Sequence, residues 1–140
     1  MRNHDETLVF FIILSKIQNP KSKIQNWFFM LGIDIVEVAR IERLREVYGD
    51  AFLRKVFTVQ EAAYAEGKKR WAESLAGRFA AKEAFMKAWG RRLPWKGIEV
   101  RSDELGSPFV VFQGVRYDEV SISHERTFAV AVVRVEEFLR

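Results

Sequence analysis

The pattern of apolar and polar positions changes character along the chain. Residues 8–14 form the one long continuous apolar run near the start. It falls short of the roughly 20 residues that a bilayer-spanning helix needs. Asp5 and Glu6 precede it and no small-residue cleavage site follows, which does not suit a secretory leader. Residues 15–19 (SKIQN) recur as residues 22–26 on the far side of Pro20. One repeat is too little for a solenoid or a coiled coil, and the proline disfavours a continuous helix. Residues 1–27 are therefore expected to be a poorly ordered N-terminal extension ahead of a domain over 28–140, with Met30 as a candidate functional start. The expected compartment is the cytoplasm.

Regular patterning begins at the end of that stretch. Residues 27–36 read as an apolar strand interrupted by Gly32 and Asp34. Residues 37–48 read as a helix with Ile41, Leu44 and Tyr48 on one face. Thr58 can cap a short helix over 59–66, with Glu61 at the capping-box position. Ser74 can cap a longer helix that runs to Trp89 and stops at Gly90. Strands are predicted at 98–101, 109–112, 120–123 and 127–135, with turns at Gly106 and Pro108, at Gly114, and at His124 and Glu125. Helices first and most strands later predict an α+β fold: an antiparallel-rich sheet packed against a long buried helix.

Composition narrows the chemistry. With 49% apolar residues the chain is globular in character. It has no cysteine, which removes disulfides, thiolate nucleophiles and cysteine-ligated metals. His4 and His124 are the only histidines, so a metal acting here should be a hard cation held by carboxylates, magnesium being the natural choice. A net charge of +4 favours an acidic partner or a phosphate-bearing substrate.

Two features stand out against the pattern. Asp34 sits in a strand otherwise apolar on both faces, where an unpaired carboxylate is costly and needs a cation or several donors. The helix 74–89 has two apolar faces at about 100° per residue. Leu75, Phe79, Met86 and Trp89 make a bulky arc, while Gly77, Ala81, Ala84 and Ala88 make a stripe small enough for another backbone to approach. Glu83 and Lys87 lie at one edge of the bulky arc and Arg78 and Lys82 at the other. Such a helix is largely buried, so its charges either converge on a site or form an ordinary i,i+4 pair. Asp34 and Glu83 together can hold one magnesium ion, with Lys82, Lys87 and His124 near phosphate oxygens, which fits phosphoryl or phosphodiester chemistry.

The segment GIDIVEVARI at 32–41 resembles the opening of bacterial holo-acyl-carrier-protein synthases, which belong to the phosphopantetheinyl transferase superfamily. ESLAGRFAAKEAFMKA at 73–88 is similar to the family's signature helix, and VSISHE at 120–125 followed by FAVA at 128–131 is similar to its closing hairpin. The resemblance covers roughly 28–136. It implies transfer of 4'-phosphopantetheine from coenzyme A to a serine of apo acyl carrier protein, in the service of fatty acid biosynthesis. Asp34 and Glu83 would then ligate magnesium, with Glu83 and Lys87 catalytic. Lys82, Lys87, His124 and Ser107 would bind coenzyme A, and Arg40 and Arg43 would dock the acidic carrier beside Arg45. A homotrimer with active sites between subunits is implied as well.

The chain departs from the family in three places. Met30 stands where the family has a glycine, the N-terminal extension has no counterpart, and residues 114–118 are too short for the helix usually found there. Loss of that helix should bear on stability and assembly. A metal-dependent nuclease also needs paired carboxylates and a lysine, but it commonly sets its carboxylate and lysine at i,i+2 on a strand. A nucleic-acid module should show exposed aromatics among basic residues on a sheet face. The strands at 110–112 and 127–135 are mostly aliphatic, so neither nucleic acid nor membrane is an expected partner.

Overall fold

The computed structural model describes residues 27–138, with side chains from Met30 to Glu136. The expected extension, the apolar run, the repeat and His4 lie outside the described residues, Trp27 excepted. Phe28–Glu137 form a compact unit.

Its elements run in the order strand β1 (Trp27–Glu37), helices α1 (Val38–Tyr48), α2 (Asp50–Val56), α3 (Val59–Glu66) and α4 (Trp71–Trp89), then a 3-10 turn (Trp95–Gly97). Strands β2 (Ile98–Ser102), β3 (Pro108–Phe112), β4 (Val115–Tyr117), β5 (Val120–His124) and β6 (Phe128–Phe138) follow. The α+β class holds, but the expected single sheet is two three-stranded sheets, ordered β1-β6-β5 and β2-β3-β4. β5 pairs antiparallel with β6, and β3 pairs antiparallel with both its neighbours.

Helix α4 is the centre of the fold, and fourteen of its nineteen residues are buried. That burial follows from its two apolar faces. The small-residue stripe meets the first sheet. A Cβ on Gly32 of β1 would lie 1.8 Å from the Ala84 carbonyl oxygen and 2.8 Å from the Ala88 nitrogen. A Cβ on Gly77 would lie 3.0 Å from the Ile122 side chain of β5. The bulky residues meet the other side. Phe79 lies against Trp95 at 4.7 Å between ring centroids, and Trp89 against Phe112 at 5.1 Å.

Several boundaries differ from the expectation. α4 begins one turn earlier, with Arg70 rather than Ser74 at its N-cap. Ser74 lies inside the helix and accepts a 2.9 Å hydrogen bond from Arg78. The capping box of α3 forms as predicted between Thr58 and Glu61, and Gly90 caps α4 in the left-handed conformation. Tyr48 ends α1 and is 62% exposed, so it does not join Ile41 in the core. The short connection at 114–118 contains β4, and Tyr117 packs against Phe85 and Trp89 at 5.1 and 6.2 Å.

Candidate active site

Strand β1 places its residues alternately. Gly32 and Val36 are buried, Asp34 is partly buried, and Leu31, Ile33 and Ile35 are exposed on the opposite face. Asp34 therefore lies on the face that Gly32 presses onto α4. There Lys87 Nζ donates to Asp34 Oδ1 at 3.0 Å and to the Ile33 carbonyl at 2.9 Å. The Asp34 side chain is 17% exposed and that of Lys87 54%. Glu83 stands one turn before Lys87 on α4, beside the Ala84 carbonyl that Gly32 approaches. It is partly buried, and among the described residues it has no hydrogen bond or ion pair. Asp34, Glu83 and Lys87 are thus brought to one strand–helix junction. No group of three or more histidine or acidic residues able to hold a metal occurs among the described residues.

Lys82 is corrected. Its side chain is fully buried and its ammonium is satisfied by the Val56 carbonyl at 2.7 Å, the Trp95 carbonyl at 3.0 Å and Glu61 Oε2 at 2.7 Å. Three donors meet three acceptors, leaving none for a phosphate. Burial pulls the Lys82 pKa below the ordinary lysine value, and the Glu61 carboxylate opposes that shift. Glu61 also accepts from the Thr58 and Val100 amides, each at 2.8 Å, so the pair ties α3, α4 and β2 together. Lys82→Met should leave Glu61 buried without its counter-charge and cost about 3–5 kcal/mol of stability in urea unfolding. Adding Glu61→Gln should recover part of that loss; an unaltered midpoint in the single variant would contradict the pairing.

A second feature lies toward the N-terminal half of α4. A cleft of about 250 Å³ is lined by Lys68, Arg70, Arg78 and His124, with Tyr64, Ser74 and Ile122 among its other walls. Arg78 is 8% exposed, and its guanidinium carbon lies 4.0 Å from the Tyr64 ring centroid. Its Nε is buried and has no hydrogen-bond partner among the described residues. Burial lowers the Arg78 pKa from the usual arginine value. Lys68 covers the same ring at 3.5 Å, and the two cations with their hydrogen bonds lower the Tyr64 pKa against the effect of burial. A cleft with this charge suits a polyanion. His124 was expected at a phosphate site and does line the cleft. Ser107 is exposed between Gly106 and Pro108, which do line it, in a turn held by Asp103 Oδ1 at 2.8 Å from the Ser107 amide. Lys68, Arg70, Arg78 and Tyr64 were not expected at a phosphate site from sequence. Only Arg78 carried a signal there, as a charge on an otherwise apolar helix.

Asp34, Glu83 and Lys87 do not line this cleft. The two features share one helix, however. Arg78 and Glu83 are five residues apart, about 7.5 Å along the axis at 1.5 Å per residue.

The predicted docking residues are on α1. Arg40 is exposed with its guanidinium carbon 5.4 Å from the Phe79 ring centroid, and Arg43 makes an exposed 3.8 Å pair with Glu37. Arg45 lies over Trp71 at 4.4 Å. No helix among the described residues is long and apolar enough to cross a membrane.

Comparison with known proteins bears on the fold and the family. The profile of the 4'-phosphopantetheinyl transferase superfamily matches residues 30–133. The holo-[acyl-carrier-protein] synthase of Halothermothrix orenii is 46% identical over 120 residues, covering 76% of this chain and 96% of that protein. The crystal structure of a Bacillus anthracis holo-(acyl-carrier-protein) synthase in complex with CoA (3',5'-ADP) is 40% identical, with a TM-score of 0.66 over 76% of this chain and 95% of that one. A Helicobacter pylori synthase in complex with coenzyme A is 29% identical, with a TM-score of 0.68 over 77% of this chain and 100% of that one. With the family profile matched over most of its length and a relative 46% identical to it, this chain belongs to the 4'-phosphopantetheinyl transferase superfamily.

Proposed function

We propose that this chain transfers the 4'-phosphopantetheine arm of coenzyme A to a serine of an acyl carrier protein. The observation that carries the reading is the arrangement along α4: a cationic cleft at one part and the Asp34–Glu83–Lys87 junction at another. A substrate with a nucleotide at one end and a pyrophosphate within reach of the other can engage both. The cleft's Lys68, Arg70, Arg78 and His124 hold phosphate charge, and Lys87 adds a cation at the junction. The serine oxygen forms a bond to the pantetheine-side phosphorus while the bond to adenosine 3',5'-bisphosphate breaks, and the serine proton ends on the departing phosphate or in solvent.

The junction fits magnesium. Its donors are two carboxylates, hard oxygen ligands of the kind the ion takes. Lys87 occupies only Oδ1 of Asp34, and Glu83 has no partner among the described residues. When bound, magnesium neutralises charge developing on the pyrophosphate. Residues 28–140 form the transferase domain in this reading, and residues 1–27 an appendage to it. Arg40 and Arg43 on the outer face of α1 suit an acidic carrier, because exposed pairs such as Arg43–Glu37 are weak enough to exchange. The reaction supplies holo carrier protein to fatty acid biosynthesis in the cytoplasm.

An exposed apolar strip suits self-association. Leu31, Ile33 and Ile35 are 69, 58 and 62% exposed in a row on β1, and Phe128 of the neighbouring β6 is 37% exposed. An apolar sheet face of this kind marks an interface, and we infer a homotrimer assembled through it. Light scattering should give a trimeric mass, reduced by Ile33→Lys; a monomeric mass for the parent chain would contradict it. The transfer itself is tested by mass spectrometry of an apo carrier incubated with the chain, coenzyme A and magnesium. The carrier should gain one phosphopantetheine on its serine. An unmodified carrier, under conditions where a control synthase works, would overturn the proposal.

A further inference from the structure

Glu73 is 7% exposed on the first turn of α4 and makes no helix cap. Its Oε2 instead lies 3.2 Å from His124 Nδ1, with a longer 3.7 Å contact to the exposed Arg70 guanidinium. His124 ends β5, and its side chain is 45% exposed at the wall of the cationic cleft. Among the described residues, no partner other than Glu73 is bound by the ring. An ionised carboxylate can only accept a hydrogen bond, so Nδ1 carries the hydrogen toward Glu73. Which nitrogen of an imidazole carries its proton is set by the hydrogen bond at the other. Both ring nitrogens are thereby assigned: Nδ1 is anchored inward and Nε2 is left to the cleft.

We propose that Glu73 is a positioning residue that holds the Nδ1–H of His124, so that the ring faces the cleft through Nε2 and, in its doubly protonated form, donates Nε2–H to the anionic substrate. The proposal rests on the reading of the cleft as the nucleotide site. It gives Glu73 a role that acts mainly through His124: with the carboxylate gone the ring can turn, Nε2 no longer points at the phosphate, and substrate binding weakens while the reacting centre at Asp34 and Glu83 is untouched.

Nitrogen-15 spectra of the histidine rings test this on the full chain. There are only two histidines, and loss of a signal in His124→Gln identifies the one that matters. In the neutral form the parent chain should show His124 with its hydrogen on Nδ1, and Glu73→Ala should move it to Nε2. Glu73→Ala should also raise KM for coenzyme A roughly tenfold, the scale of one charge-assisted hydrogen bond, with little change in kcat. Glu73→Gln, whose amide oxygen still accepts from Nδ1, should keep the tautomer and recover most of the KM. In a His124→Gln background, Glu73→Ala should add little. A parent chain with its hydrogen on Nε2, or an equal effect of Glu73→Ala in both backgrounds, would overturn the proposal; the first needs no variant and stands even if Glu73→Ala fails to fold. A His124→Gln variant with the parent KM would overturn the reading of the cleft instead, and the tautomer would still report on the Glu73 contact by itself.

Discussion

Glu83→Gln should lower kcat/KM for carrier modification by roughly 10²–10³-fold while leaving the protein folded. The magnitude is that of removing one group whose charge acts in the transition state. The fold should survive because glutamine has the shape of glutamate and Glu83 has no ion pair or hydrogen bond among the described residues to lose. Unfolding free energy should stay within about 0.5 kcal/mol of the parent. Circular dichroism with urea titration separates this outcome from simple destabilisation. Parent-like turnover would remove Glu83 from the site. Asp34→Asn is a less clean probe, because it also weakens the partner of Lys87 at the same junction.

Gly32→Ala should be the most destabilising single-methyl change in the molecule. The added carbon would stand 1.8 Å from a helix carbonyl oxygen, and that oxygen belongs to backbone near the middle of α4. A flexible side chain could turn aside, but here either β1 or α4 must move. Overpacking of this kind costs about 3 kcal/mol or more, a large part of the roughly 5–15 kcal/mol that holds a domain together. The variant should lose most of its soluble yield or melt well below the parent. A melting temperature within a few degrees of the parent would show that β1 does not lie this close to α4. Activity should fall with stability, because the same contact brings Asp34 to the helix that carries Glu83 and Lys87.

Much of this was legible before the structure. The small stripe of α4 announced a close backbone approach, and Gly32 on one side with Ala84 and Ala88 on the other realise it. The cap residues of α3 and the glycine after Trp89 set helix ends through local chemistry alone, and both held. What could not be read was long-range. Lys82 looked like a phosphate ligand because it is a charge on a helix with two apolar faces and lies within the segment that resembles the family's signature helix. Its true partner, Glu61, is twenty-one residues earlier in sequence, and its capping role gave no hint of a second bond. The cleft escaped notice for the same reason: Lys68, Arg78 and His124 come from a loop, a helix and a strand that only the fold assembles. Helix α2 was missed because Asp50–Val56 is short and Gly49 before it has no side chain to cap. Strand β4 was missed because three residues give too little alternation to detect.

The carboxylate pair is the point on which the chemistry depends. Crystals of the chain grown with coenzyme A and manganese, as a stand-in for magnesium, would locate the ion by anomalous scattering. The account predicts one strong peak in contact with carboxylate oxygens of both Asp34 and Glu83 from the same protomer. A peak bound to neither residue, or to only one of them with the other turned away, would contradict it.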